Sequence, residues 1–192
     1  MSDASSEKLE ELFLFGEERM EKALNQLKKE FGSIRSGRAN PMILDKVVVD
    51  YYGAPTALRQ MSQVTVQDGT TLVISPYDKS ILKEIEKAII KAEIGISPNS
   101  DGIVIRLAFP PLTEERRREI TKDVRKLGED AKVAVRNIRR DMTDDLKKLE
   151  KSENLPEDVV KDNQEEIQKL TDKYTGIIDN TVAEKEKEVL TV

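Results

Sequence analysis

The sequence predicts an α+β protein, an elongated antiparallel three-helix bundle interrupted by an inserted β/α/β domain. Three observations carry this. Three long stretches repeat apolar residues at spacings of three and four, as amphipathic helices do. One stretch between the first two alternates with period 2 instead. Charged residues make up 36% of the chain and aromatics 4%, with no Trp, a balance that suits narrow helix seams better than a thick aromatic core.

The elements follow in order. Residues 6–36 place Met20, Leu24, Leu27, Phe31 and Ile34 on one helix face. KVVVDYY at 46–52 is rich in strand formers. Val64 and Val66 alternate with Thr65 and Gln67, and Leu72 and Ile74 share one side of the next run. A short helix over 80–92 aligns Ile81, Ile85, Ala88, Ile89 and Ala92. PNSDG at 98–102 reads as a turn, and Ile103, Ile105 and Leu107 then alternate with Val104 and Arg106. The second long helix, 113–151, carries Ile120, Val124, Leu127, Ala131, Ala134, Ile138, Met142, Leu146 and Leu149. Thr113 suits its N-cap, and Glu114 and Glu115 suit the positive end of its dipole. The third, 156–190, opens on Pro156, which fits a first helical turn. Its seam is Val160, Ile167, Leu170, Tyr174 and Ile177, with polar Asn163 and Thr181 in the same phase.

Two domains result. Residues 1–37 and 111–192 form the bundle, and residues 38–110 the insertion. The chain leaves at Ser36-Gly37 and returns through Pro110-Pro111, both at one end of the bundle. Gly37 permits a left-handed helix stop, and the prolines bar helix at the residues before them. Two short crossings between separate cores predict a hinge.

Composition excludes several function classes. With no Cys, disulfides, thiolate metal sites and Cys nucleophiles are ruled out. With no His, the usual metal ligand and the usual neutral-pH base are missing; catalysis by Asp, Glu, Lys or Tyr stays open, but no catalytic residue, metal or cofactor is expected. MSDASSEKLEEL resembles no transit or signal segment, and LFLF at 12–15 is too short to span a membrane. A cytoplasmic protein without membrane contact is expected.

The strongest functional signal is basic. Residues 116–140 hold ten basic and four acidic side chains, in a chain whose net charge is −5. At about 100° per residue, Arg118, Lys122, Arg125, Lys132, Arg136, Arg139 and Arg140 fall within about 60° of one direction, roughly opposite the apolar seam. Such a stripe is the footprint of a polyphosphate partner. The competing reading is a solvated face with i,i+4 pairs. Residues 141–192 carry fifteen acids and eight bases, so an acidic third helix should lie beside the basic one and give a ligand a direction.

Other signals are weaker. Arg35 and Arg38 in SIRSGRANP suit either a second phosphate contact or compensation of a helix C-terminus. Arg139 lies about 39 Å along the second helix from Thr113, so the two basic clusters suit a long RNA surface rather than one pocket. Tyr51-Tyr52-Gly53 could stack bases, though a Tyr pair in a strand more often packs. Asp141, Asp144 and Asp145, beside Lys147 and Lys148, read as a solvated face.

Four segments in order, SIRSGRANP (33–41), VDYYGAPTALRQM (49–61), ISPNSDGIVIRLAFPPLTEERRREITK (96–122) and KVAVRNIRRDM (132–142), resemble the bacterial ribosome recycling factor family over essentially the whole chain. The resemblance implies an elongated three-helix bundle with a smaller hinged domain, in an outline like that of tRNA. It implies a monomeric, non-enzymatic factor that lies against large-subunit ribosomal RNA of the post-termination ribosome. With elongation factor G and GTP hydrolysis by that partner, such a factor separates the subunits and releases mRNA and tRNA. The family's important arginines fall on Arg35, Arg38, Arg136, Arg139 and Arg140, and its mobile domain, the natural contact for the elongation factor, on 38–110. Two departures stand out: extra residues before EERM (17–20), and Asn40 where a smaller hydroxyl residue is expected. The rival readings are a helical adaptor binding another polyanion or helical partner, and a carboxylate-dependent nuclease built on Asp141 and Asp144.

Overall fold

The computed structural model describes residues 2–190. The chain divides into two compact units, one made of residues up to Ile34 and from Glu114 on, the other of Arg35–Thr113. The boundaries fall three residues outside those expected from Gly37 and Pro111; of the residues concerned, Ser36 and Gly37 are buried and Pro111 is exposed. Gly37 does take positive φ, at 81°. The first helix nevertheless ends earlier, at Ser33, with Ile34 extended as its C-cap. Gly37 therefore serves a later bend rather than the helix stop.

The first unit consists of α1 (Asp3–Ser33), α4 (Glu114–Glu153) and α5 (Glu157–Leu190). α4 has 40 residues, or about 60 Å of helix. The Ser2 side chain caps α1 by accepting from the Ser5 N–H at 3.2 Å. The α4–α5 connection passes through Asn154, whose φ of 49° is a conformation Asn tolerates after a helix end. Cross-helix contacts set directions. Lys8 pairs with Glu153 and Arg19 with Asp141, so α1 and α4 run antiparallel; Arg125–Glu186 and Lys132–Asp179 show the same for α4 and α5.

The seams agree in part with the periodicity. α1 buries Met20, Leu24, Leu27 and Phe31 as expected, and also Leu9 and Gly16. α4 buries Ile120, Val124, Gly128, Ala131, Val135, Ile138, Met142 and Leu146. Leu127, Ala134 and Leu149 lie half-buried at its edges. Val135, which is not among the seam residues that periodicity picks out, is fully buried. α4 packs on both other helices, so its covered arc is wider than a two-helix seam. α5 buries Val160, Ile167, Thr171, Tyr174, Ile178, Lys185 and Val189, leaving Leu170 and Ile177 half-buried. Thr171 is tolerated inside because its hydroxyl donates to the Ile167 carbonyl at 2.9 Å.

The second unit opens with a 3₁₀ turn at Pro41–Leu44. A hairpin follows, β1 (Val48–Tyr51) and β2 (Ala54–Ala57), reversed at Tyr52-Gly53, both at positive φ. β2 was illegible as a strand, since APTA offers no alternation and carries Pro55. One helical turn, α2 (Leu58–Met61), leads to β3 (Ser62–Gln67) and β4 (Thr71–Pro76). α3 (Leu82–Lys91) then buries Leu82, Ile85 and Ile89. β5 (Asn99–Ser100) and β6 (Ile105–Ala108) complete an antiparallel sheet of order β3-β4-β6-β5. Leu72 pairs with Leu107 and Ile74 with Ile105, all four fully buried beside Leu44, Val47, Val49, Leu58, Ile85 and Ile89.

Two local expectations fail here. Ile103 does not share the buried side with Ile105 and Leu107; it is 58% exposed. The Asp101 carboxylate accepts from the N–H groups of Ile103 and Val104, each at 2.9 Å, and so makes this stretch the turn of a hairpin. Those backbone bonds, with the Arg106 guanidinium, hold the Asp101 carboxyl well below the usual range. Nor does the Tyr pair pack into the unit. Tyr52 is 79% exposed and meets Tyr51 edge-to-face, with ring centroids 4.7 Å apart.

Candidate nucleic-acid interface

Charge on α4 is sorted by its neighbours as well as by its own periodicity. Toward its N-terminal half the stripe is answered from within the protein. Arg118 pairs with Glu114 at 2.7 Å, and Arg125 with Glu186 of α5 at 2.6 Å. Lys132 meets Glu129 at 2.8 Å and Asp179 of α5 at 2.9 Å. Its ammonium pKa is raised, first by the bond to Glu129 and then by that to Asp179. Of these pairs Arg118–Glu114 is of the i,i+4 kind a solvated face makes, while Arg125–Glu186 and Lys132–Asp179 join α4 to α5. Lys122 is exposed and has no ion pair or hydrogen bond among the described residues.

The C-terminal half differs. Arg136 and Arg140, one turn apart, are exposed and have no ion pair or hydrogen bond among the described residues. Arg139 is half-buried, and among the described residues it bonds, at 3.4 Å, to the neutral amide oxygen of Gln168 on α5 and to no carboxylate. Arg139 and Arg140 line a cleft between the two helices together with Thr143, Asp144, Lys147, Gln164, Ile167 and Gln168. Periodicity missed Lys147, Gln164 and Gln168. Lys147 had a signal, lying seven residues beyond Arg140 on the same face. The two glutamines had none without knowledge of which α5 face meets α4.

Arg35 and Arg38 belong to the other unit. The Arg35 guanidinium donates to the Ile94 carbonyl at 2.5 Å. It fills the space beside Gly95, where an added Cβ would lie 2.6 Å from its Nη2. Arg38 is exposed and has no ion pair or hydrogen bond among the described residues. Of the crossing residues, Ser36 and Gly37 are buried, whereas Pro110 and Pro111 are exposed.

The acidic residues beyond the stripe are placed as ordinary surface pairs, Asp141 with Arg19 at 2.9 Å and Asp145 with Lys148 at 3.5 Å. No group of three acidic side chains among the described residues could hold a metal ion. No helix among them is long and apolar enough to cross a membrane.

A three-helix bundle with an inserted, separately cored β/α/β unit and a row of uncompensated cations on one helix defines a class: a two-unit α+β protein that presents fixed positive charge on a helical face. The ribosome recycling factor family matches residues 27–190, and the chain belongs to that family of translation factors. The ribosome-recycling factor of Caldicellulosiruptor bescii is 54% identical over 176 residues, 92% of this chain and 96% of the relative. That of Bacillus subtilis is 52% identical over 175 residues, 91% and 95% of the two chains. A solution structure of the ribosome recycling factor matches with a TM-score of 0.77 at 37% identity, covering 96% of this chain and 98% of the other. A second match has a TM-score of 0.64 at 42% identity, over 95% and 98% of the two chains. It comes from models for the T. thermophilus ribosome recycling factor and the E. coli elongation factor G bound to the E. coli post-termination complex.

Proposed function

We propose that this chain recycles ribosomes in the cytoplasm as a monomeric, non-catalytic factor. The bundle binds large-subunit ribosomal RNA of the post-termination ribosome. Elongation factor G, hydrolysing GTP, acts on the inserted unit, and the subunits separate with release of mRNA and tRNA. The observation that supports the RNA contact is that, among the described residues, Arg136, Arg139 and Arg140 make no ion pair, while Arg118, Arg125 and Lys132 on the same helix are paired. Uncompensated cations exchange condensed counterions on phosphate for protein charge, and internally paired ones gain little by doing so. Arg38 and Lys122 are secondary phosphate contacts. Arg35 acts chiefly by anchoring the crossing segment to the inserted unit. Family membership and the relative studied together with elongation factor G support the partner assignment.

The hinge belongs to the same proposal. The two crossings are short, and the exposed Pro110-Pro111 pair stiffens the return. Motion of the GTPase is thereby passed to the bundle.

The test is to sediment post-termination ribosomes with the protein, elongation factor G and GTP. Splitting that requires all three is expected. Intact ribosomes under those conditions would refute the assignment.

A further inference from the structure

The face that α5 turns toward the basic stripe is not uniform. At positions 179 and 186 it carries carboxylates, which pair with Lys132 and Arg125. Seven residues before Asp179 stands another carboxylate, Asp172, but among the described residues Arg139 makes no ion pair with it and bonds instead, at 3.4 Å, to the neutral amide of Gln168. The amide is itself oriented. Gln168 Nε2 donates to Asp172 Oδ1 at 2.8 Å, one turn further along α5. A carboxylate can only accept, so this bond fixes which end of the amide faces Asp172 and leaves the oxygen toward Arg139. A neutral acceptor aims a guanidinium without neutralising it. A carboxylate at the same place would do both.

We infer that Gln168, held by Asp172, is a positioning residue that aims Arg139 into the α4–α5 cleft while leaving its charge available, and that α5 thereby selects which α4 cations meet RNA phosphate. This rests on the RNA-binding reading of the bundle and deepens it. The cleft, bounded on α4 by the cations Arg139, Arg140 and Lys147 with one carboxylate, Asp144, and on α5 by Gln164 and Gln168, is the seat of the RNA backbone. Asp179 and Glu186 close the rest of the stripe to it.

The experiment compares full-length wild type, Gln168→Glu, Gln168→Leu and Arg139→Ala in binding to bacterial ribosomes across a salt titration. Gln168→Glu places a carboxylate against Arg139, and like-charge repulsion from Asp172 at i+4 pushes it further that way. Its log K against log salt slope should fall by about 0.9, matching Arg139→Ala. Gln168→Leu removes the acceptor but no charge, so affinity should fall several-fold with the slope unchanged. Position 168 is exposed on a helix, where Gln, Glu and Leu have similar propensities, and a thermal melt confirms folding. A wild-type slope for Gln168→Glu, with a reduced slope for Arg139→Ala, overturns the role of Gln168 and leaves the RNA reading standing. Unchanged binding by Arg139→Ala overturns both.

Discussion

Lys132 Nζ lies 2.9 Å from Asp179 Oδ1 across the α4–α5 seam, while Arg136, one turn along α4, has no carboxylate partner among the described residues. The stripe therefore divides at this turn. A binding experiment should register the division. Arg136→Ala and Arg140→Ala are each expected to weaken ribosome binding and to lower the salt slope by about 0.9. Arg125→Ala, which removes a charge already paired with Glu186, should leave the slope close to wild type. Equal slopes for all three variants would show that internal pairing does not decide which cations bind.

Glycines in the bundle give a graded stability test. An added Cβ at Gly128 would lie 2.4 Å from Val182 Cγ2, a branched side chain with little room to turn. Gly128→Ala should destabilise by about 1–3 kcal/mol through overpacking, and Val182→Ala in the same chain should recover most of the loss. At Gly16 an added Cβ would meet Sδ, Cε and Cγ of the buried Met142, so Gly16→Ala should also cost stability, but less than Gly128→Ala because an unbranched side chain adapts more readily. Gly176 has nothing within 4 Å, and its replacement by Ala should stabilise by about 0.5–1 kcal/mol from helix propensity alone. Urea melts followed by circular dichroism give the order, which fails if Gly128→Ala is the mildest.

These glycines also show what the sequence could reveal. Apolar spacing located all three long helices and most of the buried face of α1, because large side chains there mark the seam. On α4 the true seam passes through Gly128, which carries no hydropathy signal, and the neighbouring Leu127 drew the reading one residue aside. Leu170 and Ile177 had the same effect on α5, where Thr171 and Ile178 face inward. The inserted unit was legible wherever strands alternate, as at Leu72 and Ile74, and illegible at Ala54–Ala57 and at Ile103, where a proline and an aspartate cap decide. Of the site, the charges on α4 were legible. Their neutralisation was not, since it depends on which α5 residues arrive opposite.

The buried phenol of Tyr174 predicts an alkaline limit for the bundle. Burial raises its pKa above the ordinary value, and the hydrogen bond to Glu21 at 2.8 Å adds to this, with Glu17 contributing. A folded-state pKa above the unfolded one gives stability that is complete below the unfolded value, about 10, and declines as pH rises beyond it. Wild type should therefore lose melting temperature more steeply than Tyr174→Phe between about pH 9.5 and 11. Subtracting the two profiles removes the contribution of lysine titration common to both. Parallel profiles would mean that the phenol stays unperturbed in solution.

The crossings predict a separation between binding and work. Arg136, Arg139 and Arg140 belong to the bundle, so ribosome affinity should depend little on the stiffness of the return segment. Replacing Pro110 and Pro111 with Gly removes the fixed φ at two successive residues and enlarges the conformational freedom of the crossing. A force applied to the inserted unit would then be partly spent in reorienting the segment. Binding to post-termination ribosomes is expected to stay within about twofold, a difference of about 0.4 kcal/mol. The rate of subunit splitting with elongation factor G and GTP should drop by a larger factor, measured by light scattering in a stopped-flow instrument. Loss of binding and splitting in equal proportion would place the prolines in the ribosome contact itself and remove their mechanical role.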